Sequence, residues 1–434
     1  MKKFICIHGH FYQPPRENPW LEAVEVQDSA YPFHDWNERV TVECYAPNGA
    51  ARLMDGEGRI IDIVNNYAGI SFDFGPTLLR WMERWAVEEY RRIVDADRRS
   101  VERFDGHGSA MAIPYNHSIM PLNSARDRRT QIAWGLSEFR RHFGREPEGM
   151  WLPETAVNTD TLEDLVEHGI RFTVLAPRQA RRMRKIDDKT DKKEGKKWKD
   201  VSDGSIDSTR PYLCRLPSGR SIAILFYHPS IAHKVAFGDV LNNGERFAED
   251  IISAFDDRKE PQLIHVATDG ESYGHHRAHA DMALAYALHT VEESDDAELT
   301  NYARHLADHK PQWEVEIFEN SSWSCVHGVE RWRSDCGCKI DPGRNWHQRW
   351  RKPLREAFDR LRSRIDPFYE RRAAELLNDP WAAREAYISV IADRSRENVD
   401  RFCAEHGRGE LTNGQQVELL KLLEMQRHGM LIYT

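Results

Sequence analysis

The stretch HVATDGESYGHH, residues 265–276, concentrates groups that can hold, give or take protons. Asp269, Glu271, Tyr273, His275 and His276 follow an apolar lead of Leu263, Ile264 and Val266. A solvated turn uses Asp and Gly but has no need of so many titratable and aromatic side chains together. A second carboxylate in a similar setting is Glu154 in GMWLPETAVN, directly after Trp151, Leu152 and Pro153. Paired carboxylates in unlike environments are what cleavage of a glycosidic bond requires. One acts as nucleophile or base, and the other, its pKa raised, protonates the departing oxygen. Taken singly, Glu154 reads equally well as a helix cap and Asp269 as a turn residue, because acidic side chains favour both places. The surrounding histidines tip the balance toward a site. His10 and His117 can donate hydrogen bonds to hydroxyl groups, and a protonated imidazole near Glu154 would favour the ionised carboxylate.

These residues stand at the ends of short apolar runs. FICIHGH ends at His8 and His10, GMWLPE at Glu154, RFTVLAP at Pro177, SIAILFYH at His228 and QLIHVATDGE at Asp269. Amphipathic segments lie between them, at 124–143, 161–169 and 279–293. Alternating strands and helices predict βαβ units around a parallel sheet, and polar clusters recurring at strand ends favour a barrel over an open sheet. The glycines at 270 and 274 are expected to let a substrate approach the backbone. No GxGxxG follows the first strand and no GxxxxGK[ST] occurs, which removes the commonest phosphate cradles.

The stretch 178–208 is rich in Lys, Arg and Asp and reads as a charged exposed insertion in a barrel domain covering 1–310. From 311 to 434 the pattern becomes helical, with Asp366 and Asp379 each preceding Pro at an expected helix start. Trp313, Trp323, Trp332, Trp346 and Trp350 crowd the junction. They either line a glycan cleft or form a core between the two parts, and Trp323 is the one expected to touch substrate.

A chain of 434 residues with mean hydropathy −0.69 and 30% charged residues is a globular protein with a charged surface. Net charge −9 and pI near 6.1 argue against a nucleic-acid or acidic-membrane partner and suit a neutral substrate. The N-terminal apolar run is too short for a signal segment, and no long apolar stretch occurs, so a cytoplasmic location is expected. Seven scattered cysteines fit reduced thiols better than a disulfide framework. Cys325, Cys336 and Cys338, with His327 nearby, fall short of the usual paired CxxC pattern, so packed or proximal thiols are expected there and no metal.

The motifs HGHFYQP (His8, His10, Gln13), GHGSAMAIPYNH (ending at His117), GMWLPE (Glu154), ATDGESYGHH (Asp269) and SWSCVHGVERW (from Trp323) occur in that order. Together they resemble glycoside hydrolase family 57, over three quarters of the chain. The resemblance implies an incomplete (β/α)7 barrel followed by a helical region, and a reaction on α-glucan with retention of configuration. It makes Glu154 the nucleophile and Asp269 the acid/base. His10 would bind the sugar beside the cleavage point, with His8, Gln13, His117 and Trp151 as further substrate-binding candidates and Trp323 as an aromatic wall. No cofactor is needed. Phe11 and Tyr12 stand between His10 and Gln13, where many members have His-Gln-Pro directly. This longer form, continuing PPREN, resembles a subgroup with an added C-terminal region of unknown function, and by that likeness the helical part is expected to be truncated. Two alternatives stand. One is a metal-dependent enzyme like the polysaccharide deacetylases, which hold a water-activating metal with one Asp and two His. The other is a catalytically weak glycan-binding protein on the same scaffold.

Overall fold

The structure, a computed structural model, describes residues 2–186, 197–339, 341 and 343–432. Its central strand is β1, Lys3–Phe11, buried along almost its whole length. A strand covered on both faces reads as a continuous apolar run rather than an alternating one, as FICIHGHF does. The further strands are β2 (Ser71–Phe74), β3 (Phe172–Leu175), β4 (Ala180–Lys185), β5 (Tyr212–Arg215), β6 (Ser221–Phe226), β7 (Gln262–Asp269) and β8 (Trp313–Ile317).

On one side β1 runs parallel to β7, from Lys3 opposite Gln262 to His10 opposite Asp269. On the other it runs parallel to β2, with His8 opposite Ser71 and His10 opposite Asp73. Parallel bridges carry the path onward, Phe72 with Ala110, Ala112 with Met150 and Gly149 with Phe172, into β3 and then β6. Just past β6, the His228 N–H donates to the His265 carbonyl at 2.8 Å and so returns to β7. The helix Ala125–Phe143 starts at a Ser124 cap and stops at Gly144 in the left-handed conformation. It lies so close to the segment beneath that a Cβ at Gly135 would sit 2.1 Å from the Ile113 carbonyl oxygen.

The charged stretch 178–208 is not simply a loop. Its first part is β4, paired antiparallel with β8, and Lys199–Asp200 pairs with β4 in turn. Arg182 and Arg184 on one face of β4 meet Glu316 and Glu314 of β8, so ion pairs across the ladder take the place of apolar contacts. Residues 187–196 of that insertion lie outside the described residues. β8 is stitched into this second sheet beside β4 and β5.

The helical part comprises Arg351–Ala373, Pro380–Ala386, Ile388–Ala392, Arg396–His406 and Asn413–Leu431. Asp379 caps its helix as expected. Asp366 does not, because Pro367 lies inside the long helix Arg351–Ala373. Asp366 accepts instead from Gln426 Nε2 of the last helix, and packing between these two helices outweighs the single backbone bond that proline removes. Tyr369, Tyr387, Phe402, Leu419 and Leu423 form a core that incorporates Tyr115 and Trp134 of the first unit. Across this seam Trp134 Nε1 donates to the Glu385 carbonyl at 2.7 Å. Arg384, 1% exposed, reaches Asp127 at 2.7 Å and Thr130 Oγ1 at 2.9 Å. Among the described residues no helix is long and apolar enough to cross a membrane.

A buried guanidinium stripped of its carboxylate is costly, so Asp127→Ala is expected to destabilise the protein by about 3–5 kcal/mol. Urea unfolding of the two proteins checks this, and an unchanged midpoint would show that the seam does not depend on the pair.

Candidate active site

The register of β1 fixes the floor of the site. His8 and His10 point to one face of the sheet, as do Ser71 and Asp73 on β2. Asp73 is fully buried and takes His8 Nε2 at 3.0 Å on one oxygen and His10 Nδ1 at 2.8 Å on the other. The two imidazoles outweigh burial and hold the Asp73 pKa below the ordinary carboxylate value. For His10, burial favours the neutral ring, but Asp73, with Asp269 and Glu271, outweighs it and pushes the pKa up to about 9. His117 faces His10 at 3.0 Å between their Nε2 atoms, and burial followed by the His10 charge lowers it to about 3. The pair therefore has one direction. A protonated His10 donates to Asp73 and to a neutral His117, and Tyr12 stacks on His117 with ring centroids 3.9 Å apart.

Glu154 sits in a different kind of structure. After Met150 and Trp151 the chain turns through Pro153–Thr155, where Glu154 has φ 57° and Thr155 φ 48°. Left-handed backbone at two consecutive residues that carry a Cβ costs energy and persists only where neighbours impose it. Those neighbours are present. Gln179 Nε2 donates to the Thr155 carbonyl at 2.8 Å, and its Oε1 accepts from Thr155 Oγ1 at 2.8 Å and from the Ala176 N–H at 2.9 Å. Ser321 pairs with Val157 through two backbone bonds. The Trp323 N–H donates to the Glu154 carbonyl, and Trp323 Nε1 donates to Glu154 Oε2 at 3.1 Å. The Glu154 carboxylate is thereby held by the segment that follows β8.

Asp269 ends β7 next to His10 and is the one residue of that strand with an exposed side chain. Its carboxyl is partly desolvated by the protein around it, and this raises its pKa. Glu154 and Asp73 raise it further, while His10 opposes them. Glu271, two residues on, is buried and accepts from Tyr45 OH at 2.6 Å and from the Tyr12 N–H at 3.0 Å. Burial, reinforced by Asp269, lifts it to about 7 against the Tyr45 hydrogen bond and His10.

All the expected site residues gather in this region, though not all in the expected posture. On the open side of the site Asp269 is exposed and Glu154, His117 and Trp323 are partly so. His8 and Trp151 are fully buried and lie behind it. Trp151 stacks with His8 and His10 and meets Trp323 edge-on, so both residues are part of the packing beneath the site. Both ring nitrogens of His10 are engaged, and its charge faces Asp73, Asp269 and Glu271 rather than Glu154. Gln13 is tied to Tyr45 and Arg16. The glycines do not open a path for substrate either. A Cβ at Gly270 would enter the Phe11 ring, and one at Gly274 would meet the Glu43–Cys44 backbone. The crowded tryptophans do not share one role, since Trp346 and Trp350 are more than half exposed. Asp73, Tyr12 and Tyr45 escaped the sequence reading. Asp73 alone had a signal there, as the one acid in the apolar run SFDF. A separate cavity of about 440 Å³, lined by Arg80, Trp81, Trp85, Tyr115 and Arg427 among others, contains none of Glu154, Asp269 and Glu271.

The sequence model "Glycosyl hydrolase family 57" matches residues 33–317, and "Domain of unknown function (DUF3536)" matches 346–434. No curated protein matches. Among solved structures, an exo-type maltose-forming amylase from Pyrococcus sp. ST04 is 17% identical, with TM-score 0.66, over 100% of this chain and 74% of its own. A 4-alpha-glucanotransferase from Thermococcus litoralis is 12% identical, with TM-score 0.54, over 93% and 54%. A branching enzyme of the same family from Thermococcus kodakaraensis is 15% identical, with TM-score 0.55, over 97% and 94%. At these identities the likeness is one of fold.

Replacing Asp73 by Asn removes the main influence that raises His10. The half-titration of His10 is expected to fall from about 9 by about 1–3 pH units, as when any close opposite charge is lost. Imidazole NMR signals across a pH series follow it, and an unmoved His10 would mean that the two side chains are not paired.

Proposed function

The chain belongs to glycosyl hydrolase family 57, and on that premise we propose that it cleaves or transfers α-glucan chains by double displacement, with Glu154 as nucleophile and Asp269 as acid/base. The observation that carries the reading is the unlike environment of two carboxyls close enough to influence one another. Glu154 is held on a strained turn by an indole N–H, whereas Asp269 is desolvated and pushed toward its protonated form. A retaining reaction needs that division. Glu154 attacks the anomeric carbon as Asp269 gives its proton to the departing oxygen. Asp269 then takes a proton from the incoming hydroxyl, which displaces Glu154. Water as acceptor gives hydrolysis, and a sugar hydroxyl gives glucanotransfer or branching. No step calls on a cofactor.

The scaffold reading is the incomplete seven-stranded barrel. Seven parallel segments support it: β1, β2, residues 110–112, residues 149–150, β3, β6 and β7, with β7 back against β1. Tyr12, His117, Tyr227 and Trp323 are the partly exposed rings around the carboxyls, and they offer flat faces and polar edges to sugar rings.

On maltooligosaccharides and glycogen, Glu154→Ala and Asp269→Ala are each expected to lose about 10³-fold or more in turnover. Azide added to Glu154→Ala should yield a β-glucosyl azide, because an external nucleophile entering in one displacement inverts the centre. In the wild type, kcat/KM falls on the alkaline side as Asp269 loses the proton it must donate. Product chromatography and anomeric NMR provide the readout. Full activity in either variant would remove that residue from the mechanism, and no turnover of any α-glucan by the wild type would remove the substrate class.

A further inference from the structure

Between Ile317 and the helix that starts at Arg351, the described chain has one short helix, Glu330–Arg333, and few buried apolar side chains. Yet this segment delivers Trp323 to Glu154 with hydrogen-bond accuracy. A stretch with so little core of its own needs another source of order.

Its sequence folds into two facing claws. Cys325 and His327 form one, Cys336 and Cys338 the other, and one donor atom from each lies within 4.8 Å of all the rest. Gly337, at φ 82°, lets the two flanking thiols turn to the same side. Gly328, at φ 61°, follows His327 where a Cβ would strike the Asn320 carbonyl. The Cys325 sulfur lies 4.0 Å from Cys336 and 3.6 Å from Cys338. The His327 Nδ1 lies 3.8 Å from Cys325 and 3.4 Å from Cys338. These separations have a simple meaning. For bonds of about 2.3 Å to sulfur and about 2.0–2.1 Å to nitrogen, a regular tetrahedron has S–S edges near ~3.8 Å and S–N edges near ~3.6 Å. They also exceed by far the ~2.05 Å of a disulfide.

We propose that Cys325, His327, Cys336 and Cys338 form a closed tetrahedral site for a zinc-type divalent cation that staples the Trp323 segment to the start of the helical part. The donor set selects the metal class, since three thiolates and an imidazole suit zinc and leave no open position for catalysis. The surroundings suit the charge. Three thiolates around a dication leave one net negative charge, and the Arg351 guanidinium lies 3.8 Å from the Cys336 sulfur. Gln348 Nε2 donates to the Cys338 carbonyl at 2.8 Å and fixes the second claw from outside. Cys325 is buried and Val329 packs beside Ile119 and Ala156, so the staple is rooted in the first unit. The pattern looked deficient in the sequence because the fourth ligand is an imidazole in a CxH pair rather than a cysteine.

The test is made on the intact chain, untagged, expressed with zinc and dialysed under reducing conditions. Atomic emission is expected to find one equivalent of zinc per chain, and cobalt exchanged into the site should show the sulfur-to-metal absorption and strong visible bands of a tetrahedral thiolate site. Cys336→Ser and Cys338→Ser, checked for folding by circular dichroism, should lose the equivalent. Wild type that retains no metal with its thiols reduced overturns the proposal, as does a mass 2 Da low that locates a Cys325–Cys338 disulfide. Both readings are independent of any glycan activity.

Discussion

A carboxylate shut off from water has to be answered by protein groups, and Asp73 is answered by imidazoles. It lies at the centre of the sheet with no exposure, between His8 and His10. That arrangement exists only in the observed register of β1 and β2, because a slip of one residue would turn both histidines to the opposite face. The same strand pairs His10 with Asp269 on its other side. Strand register, His10 protonation and the proton affinity of Asp269 are therefore one linked quantity. The residues between His10 and Gln13 belong to it too. Phe11 occupies the space left by Gly270, and Tyr12 covers His117 with its ring while its N–H binds Glu271.

The second carboxylate depends on a different constraint. Glu154 is not on a strand but on a left-handed turn locked by Gln179 and by the segment carrying Ser321 and Trp323, which come from two separate places in the chain. Rigid attachment from several sides is what a group needs if it is to meet a reacting carbon without reorganising. The seam with the helical part is rigid as well, since Trp134 and Tyr115 of the first unit are packed into the helical core.

Much of this was legible in the sequence. The strand-end positions of His10 and Asp269 follow from apolar runs that stop at polar residues, and the alternation of strands and helices follows from periodicity; the turn that carries Glu154 does not. The charged strand β4 was not legible, because its ion pairs are made with Glu314 and Glu316, 130 and 134 residues away, rather than within its own sequence. Pro367 inside a helix was hidden for a related reason, since local rules place proline at a start and only the contact with the last helix overrides them. The posture of the site residues was equally hidden. Residue type identifies His8, Trp151 and Glu271 as site-like, but only the packing decides which of them face the cleft and which stand behind it.

The backbone at Glu154 bears on how such a site is kept. A side chain at φ 57° carries a penalty of about 1–3 kcal/mol that glycine would not. Mutational drift at this position would therefore tend to gain stability by discarding the carboxylate. A lineage that had ceased to use the group would have had every thermodynamic reason to lose it. Glutamate here is held in that unfavourable conformation by Gln179 and by the Ser321–Trp323 segment, so contacts made elsewhere in the chain, and not the turn's own preference, keep a carboxylate at this point.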